Sequence, residues 1–135
     1  MACPYFYPLA RFEGSAWIVP PRLPLGDAFA GECRAQDNAF QPDEERVRQV
    51  CNLGYGRGRC DRFPQDAAAD AVRFNLTEDA GALIRIQFVY EKDCWPRDHG
   101  QLNCENGRVA SNGSGDALLE RQAAAFVESY LRRRG

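Results

Sequence analysis

The stretch that decides the fold is residues 72–90, VRFNLTEDAGALIRIQFVY. In its first arm Val72, Phe74 and Leu76 alternate with polar residues, and a turn follows at 78–82. The second arm places four more apolar side chains on one face: Ile84, Ile86, Phe88 and Tyr90. Alternation with a period of two on both sides of a turn predicts an antiparallel β-hairpin with one buried face.

Two further elements are predicted after this hairpin. Residues 102–104 and Val109 flank Asn106-Gly107, a pair suited to positive φ, and this pattern predicts a second hairpin. Asp116 can cap a helix that runs to about Arg133. The apolar residues of this helix share one face at helical spacing and are expected to pack on the sheet: Leu119, Ala123, Phe126, Val127 and Tyr130.

The first part of the chain is predicted to be irregular. Residues 1–41 are rich in Pro and Gly, which favours loops and short strands, with one candidate strand at 15–19. Residues 42–45 resemble the first turn of a short helix, and Val47, Val50 and Cys51 would form its buried stripe. A loop containing Gly54, Gly56 and Gly58 ends that helix.

Together these patterns predict one α+β domain spanning residues 1–135. A small antiparallel sheet, made of a hairpin at about 71–91 and further short strands, is packed by a C-terminal helix, and the N-terminal half is irregular and carries cysteines. With 135 residues, 44% of them apolar, such a chain can bury a core without covalent staples.

Charge and hydropathy limit the expected partners and location. The net charge is −2 and the isoelectric point is about 5.4, so we expect no binding to nucleic acid or to an anionic membrane surface, and a protein partner stays open. Pro4, Pro8 and Arg11 interrupt the N-terminal residues, which lack the apolar run of an export signal. We therefore expect a cytoplasmic protein.

Six cysteines are the strongest chemical signal. Four of them, Cys3, Cys33, Cys51 and Cys60, lie in the N-terminal half. In a reducing cytosol, thiols in this number are better explained as metal ligands than as disulfides. Each lies near Pro or Gly, and loops of this kind can turn backbone amides toward sulfur. The sequence therefore predicts a single metal site formed by these four cysteines.

The spacing of these cysteines matches no local metal motif. They are separated by 29, 17 and 8 residues, whereas structural zinc sites use pairs two to four residues apart, and ferredoxin runs are absent. Scattered loop cysteines favour an iron–sulfur cluster, with 4Fe-4S preferred, because such ligands can surround a larger cofactor. Zinc bound by four thiolates, disulfides in a secreted domain and unliganded buried thiols remain alternatives.

Cys94 and Cys104 bracket residues 95–103, WPRDHGQLN, and are expected to stay outside the metal site. They could pair with each other or remain buried thiols, and Cys94 is the replacement ligand if one of the four is wrong. Residues 95–103 are expected to form a loop, and His99, the only histidine, is expected there as an ordinary surface residue. Arg57, Arg59 and Arg62 are expected to offset the charge of a thiolate cluster.

The predicted function is that of a small cytoplasmic metalloprotein holding an iron–sulfur cluster for electron transfer, structure or sensing. A zinc-binding interaction module and a disulfide-stapled secreted domain are the competing classes. No carboxylate pair, catalytic triad or nucleotide fingerprint is present, so the sequence favours a non-enzymatic role.

Overall fold

The structure is a computed structural model that describes residues 2–11, 29–35, 39–56, 60–106, 108–110 and 117–134. The strands are β1 (Phe6–Arg11), β2 (Phe29–Cys33), β3 (Ala71–Asp79), β4 (Leu83–Lys92), β5 (Trp95–Glu105) and β6 (Arg108–Ala110). The helices are α1 (Glu44–Arg46), which continues into a π-helical turn (Val47–Cys51), and the C-terminal α2 (Ala117–Arg134). The α+β class predicted from the sequence is confirmed.

Strands β3 to β6 form one antiparallel sheet in chain order. The predicted hairpin forms the first two strands of this sheet, with Phe74 paired to Phe88 and Val72 paired to Tyr90. The register of β3 and β4 shifts after Leu76, and the Leu76 side chain is 38% exposed. The buried face of β3 therefore ends earlier than the sequence pattern indicates.

Strand β4 is covered on both faces, although its alternation predicts only one buried face. Ile84 and Ile86 are buried on the predicted face, whereas Val89 and Glu91, on the other face, are also buried. Directly before β3, the Asp70 N–H donates to the Glu91 carbonyl and extends the β3–β4 ladder by one residue. Tyr55 and Arg73 donate hydrogen bonds to the Glu91 carboxylate, so this buried charged group has hydrogen-bond partners.

The expectation of a loop at residues 95–103 is wrong, because this segment is most of strand β5. His99 lies opposite Val89 in the β4–β5 ladder. At the usual rise of a strand, Cys94 and Cys104 are about 33 Å apart. A disulfide needs Cα atoms within about 7 Å, so the suggested pairing of these two cysteines is excluded.

The N-terminal segment forms a second, two-stranded sheet. Strands β1 and β2 pair in antiparallel fashion with Pro8 opposite Gly31. A Cβ at Gly31 would overlap with the Tyr7 carbonyl, so the close approach of the two strands requires glycine here. The candidate strand at 15–19 lies outside the described residues.

Helix α2 packs against β1, β5 and β6, and its predicted apolar face is confirmed by the burial of Leu119, Ala123 and Val127. Its buried surface also includes a polar residue that the pattern did not predict. The Gln122 side-chain amide donates to the carbonyls of Cys3 and Phe6, at 2.8 and 2.6 Å. Helix α2 thus holds the N-terminal segment as well as covering the sheet.

In the described parts of the chain, the helices lack the combination of length and low charge that a bilayer span requires.

Asn52, fully buried, joins β2 to the π-helical turn. Its side-chain oxygen accepts the Phe29 N–H at 3.0 Å. Its side-chain nitrogen donates to the carbonyls of Phe29 and Val47, at 3.0 and 2.9 Å. The side chain thereby satisfies three buried backbone groups that belong to two separate segments.

We expect Asn52→Leu to lower the free energy of unfolding by about 2–4 kcal/mol, because the leucine fills the space but removes the side-chain partners of the Phe29 N–H and carbonyl. Chemical denaturation of the metal-free protein measures the change. The matched control is Asn75→Leu, at an exposed position of β3, where the expected change is within about 0.5 kcal/mol. Equal effects of the two substitutions would contradict the stabilising role given to the Asn52 side chain.

Candidate metal centre

The four cysteines predicted as ligands line one cavity. Cys3 lies just before β1, Cys33 ends β2, Cys51 ends the π-helical turn and Cys60 follows the glycine-containing loop. Segments far apart in the sequence are thus brought together by the fold, as the sequence analysis required. Cys3 and Cys51 are buried, and Cys33 and Cys60 are partly exposed.

Backbone hydrogen bonds fix three of these positions. The Cys3 N–H donates to the Cys51 carbonyl at 3.0 Å, which joins these two cysteine positions directly. Cys33 and Phe40 exchange two backbone hydrogen bonds of 2.6 and 3.0 Å, which close the segment after β2 over the cavity. These positions depend on long-range pairing, so no sequence spacing could have revealed them.

Cys60 is held by the glycine-containing loop. Its N–H donates to the Gly56 carbonyl at 2.7 Å. A Cβ at Gly56 would approach Val50 Cγ1 to 2.9 Å and Phe63 Cδ2 to 3.3 Å, and both of these residues line the cavity. Gly56 is therefore required by close packing at the wall of the site.

Tyr55 anchors the same loop to the large sheet. It adopts a positive φ of 57°, which is rare for an aromatic residue. Its N–H donates to the Asp70 carbonyl and its hydroxyl to Glu91, each at 3.0 Å. Burial and the neighbouring Glu91 carboxylate raise the pKa of the Tyr55 hydroxyl, so it remains a donor. The Arg73–Glu91 ion pair, at 2.8 Å, completes this support.

The thiols interact electrostatically with one another. Burial, and then the proximity of the other thiols, raises the pKa of Cys51. Burial likewise raises the pKa of Cys3 from 9.0 to about 12, although the backbone N–H groups of Tyr5 and Phe6 act against this shift. Those N–H groups are the kind of donors that stabilise a metal-bound thiolate.

Four aromatic residues line the cavity, and Tyr5, Phe6 and Phe63 are three of them. The rings of Tyr5 and Phe63 meet edge to face with centroids 5.6 Å apart. Phe40 is the fourth, whereas Tyr7 and Tyr55 do not line the cavity.

Two arginines line the cavity as well. Arg62 stacks over the Phe40 ring, with its guanidinium carbon 4.0 Å from the ring centroid. The Arg62 Nε is buried without a hydrogen-bond partner in the described part of the chain. Arg46 pairs with the exposed Asp61 at 3.1 Å and lowers the pKa of Cys51 against the effect of burial. Of the three arginines predicted to offset thiolate charge, Arg57 and Arg59 lie outside the described residues.

The cavity is narrow. Its volume is about 10 Å³, which is room for roughly one water molecule. Among the described residues, no three or more His, Cys, Asp or Glu side chains are arranged to hold one metal ion. The four thiols therefore surround a common space without forming a closed single-ion site.

The other residues considered from the sequence, Cys94, Cys104 and His99, lie outside the thiol cavity. All six cysteines are free thiols; Cys94 is exposed at the β4–β5 turn, and Cys104 is buried in β5. Neither lines the thiol cavity, and His99 is also absent from its lining. Four cysteines thus line one cavity, and the other two lie outside it.

Comparison of the chain with protein-family models, with curated protein sequences and with solved structures finds no match.

The raised thiol pKa values predict how the stability of the metal-free protein depends on pH. An unfolded thiol loses its proton near pH 9, whereas the folded Cys3 keeps its proton until its pKa of about 12. The unfolded state therefore binds fewer protons in this window, and the free energy of unfolding falls as pH rises above about 9, by up to about 1.4 kcal/mol per pH unit for each such thiol.

Denaturation under anaerobic, metal-free conditions across this pH range measures the slope. Replacing both Cys3 and Cys51 by Ala should flatten it, and Cys94→Ser, at an exposed thiol, should leave it unchanged. An unaltered slope in the double variant would show that the pH dependence of stability does not come from the Cys3 and Cys51 thiols.

Proposed function

We propose that the protein is a small cytoplasmic iron–sulfur protein whose cluster, preferentially 4Fe-4S, is bound by Cys3, Cys33, Cys51 and Cys60. The single observation that carries the proposal is that these four thiols, distant in sequence, line one cavity. Thiolates are the ligands that iron–sulfur clusters and zinc select. The bound cluster would supply electron transfer, a structural element or a sensing centre.

The charges around the cavity support a thiolate centre. Four thiolates on a divalent ion, or on a cluster core of charge +2, carry a net charge of about −2. Arg46 and Arg62 place two guanidinium groups at the cavity wall. The Arg62 Nε is buried without a protein partner in the described part of the chain, and a metal-bound sulfur would accept its hydrogen bond.

The cluster is preferred because the four cysteines lie on separate segments around one cavity, and ligands of this kind can surround a larger cofactor. Ligands around a single zinc ion stand about 3.8 Å apart, from Zn–S bonds of about 2.3 Å in a tetrahedron, whereas cluster ligands are spread more widely. Because the cavity has room for roughly one water molecule, its walls would have to move apart for a cluster to bind.

Zinc is the second candidate, and the same narrowness favours it. A space for roughly one water admits one ion with less displacement of the aromatic walls than a cluster requires. Metal analysis distinguishes these two cofactors directly.

Protein purified without oxygen is expected to be brown and to contain about four iron and four sulfide per chain. Colourless protein with one zinc per chain would establish the second candidate. Protein with neither metal, which also fails to bind iron and sulfide or zinc on reconstitution, would overturn both.

Cysteine variants test whether the four thiols act as one site. Cys33→Ser and Cys60→Ser change the two partly exposed ligands, so loss of metal is separable from loss of fold. Each should lose most of the metal, whereas Cys94→Ser and His99→Ala should retain it. Full metal content in both ligand variants would refute the assignment.

Arg62 gives a prediction about the surroundings of the metal. We expect Arg62→Leu to weaken metal retention by about 10- to 100-fold, since residues that donate to metal ligands typically have effects of this size. Competition with a chelator measures retention. The matched control is Arg108→Leu, at an exposed position of β6, and equal retention in the two variants would contradict this role for Arg62.

A further inference from the structure

A second pocket lies beside the thiol cavity, and Tyr5 lines both. The second pocket measures about 360 Å³ and contains no cysteine. Pockets that bind small molecules measure about 300–1,000 Å³. This pocket is therefore large enough for a ligand at the lower end of that range.

A β-bulge directs two opposite charges into the pocket. In the β4–β5 ladder Tyr90 faces Asp98 and Glu91 faces Pro96, so Arg97 is the extra residue. A bulge of this kind puts two consecutive side chains on one side of the strand. Arg97 and Asp98 accordingly both line the pocket, although neighbours in a regular strand point to opposite faces.

The two charged side chains are available to a ligand. Within the described residues, Arg97 has no ion pair, with Asp98 or with any other carboxylate. Asp98 uses one carboxylate oxygen to accept the His99 N–H at 2.9 Å, and its second oxygen has no partner there. An isolated anion would be attracted by Arg97 and repelled by Asp98, so a ligand carrying both charges fits this pair better.

The rest of the pocket is mostly apolar. Tyr5 and Tyr90 provide aromatic walls, and Ala68, Ala69 and Leu118 provide aliphatic ones. The small alanines leave the space that a larger side chain would fill. A ligand held here would therefore present charged groups to the bulge and an apolar group to these walls.

We propose that this pocket binds a small zwitterion with an apolar or aromatic side chain, that is, a free α-amino acid. Its carboxylate pairs with Arg97, its ammonium group with Asp98, and its side chain packs against Tyr5, Tyr90 and Leu118. The site is independent of the metal, since its lining includes no candidate ligand, but Tyr5 places the bound molecule next to the thiol cavity.

The test uses the full chain as purified and three related probes. L-Phenylalanine carries both charges, 3-phenylpropionate lacks the ammonium group, and phenethylamine lacks the carboxylate. Amide chemical shifts in NMR titrations report both affinity and location. L-Phenylalanine is expected to bind at millimolar concentration and to shift the signals of Tyr90, Asp98 and Leu118, and each single-charge probe should bind about tenfold more weakly or worse.

Variants locate the binding. Arg97→Leu and Asp98→Asn should each weaken L-phenylalanine binding about tenfold or more, and Arg108→Leu should not change it. An unchanged thermal midpoint in each variant shows that the fold is intact. Absence of binding by L-phenylalanine, equal binding of 3-phenylpropionate, or unchanged affinity in both pocket variants would overturn the proposal.

Discussion

The structure of the thiol cavity depends on the buried amide of Asn52. This side chain exchanges two hydrogen bonds with the backbone of Phe29, at the start of β2, and a third joins it to Val47, at the start of the π-helical turn. Cys33 ends the strand and Cys51 ends the turn. Because a buried backbone group without a partner costs about 1–3 kcal/mol, the two segments have one strongly favoured arrangement. That arrangement brings the two cysteines to the same cavity.

The other two cysteines are added to this pair by further polar contacts. Cys3 hydrogen-bonds through its backbone to Cys51, and Gln122 of α2 holds the carbonyls on either side of the turn that follows Cys3. Cys60 is joined to Gly56, whose loop is tied to Glu91 through Tyr55. Each of the four cysteines is therefore supported by a different part of the fold. A fold that assembles thiols in this way brings them to one cavity without any local spacing motif.

The sequence was informative where the signal is periodic and local. Alternation along residues 72–90 and helical spacing along α2 predicted the hairpin and the helix correctly, because burial of one face determines both patterns. It failed at β5, where polar residues such as Arg97, Asp98 and Gln101 concealed a strand whose side chains are mostly exposed. It also missed Asn52, Gln122 and Phe40, since the partners of a buried amide or the wall of a cavity are set by tertiary pairing. The choice of four cysteines out of six came from their neighbouring Pro and Gly residues, and the structure brings those four together.

The central claim is that all four thiols bind the same metal centre. X-ray absorption at the metal edge, recorded on anaerobically reconstituted protein, measures the atoms bound to that metal. Coordination by sulfur alone is predicted, with a second shell of iron neighbours if the centre is a cluster and none if it is zinc. A shell of nitrogen or oxygen ligands in place of sulfur would contradict the account.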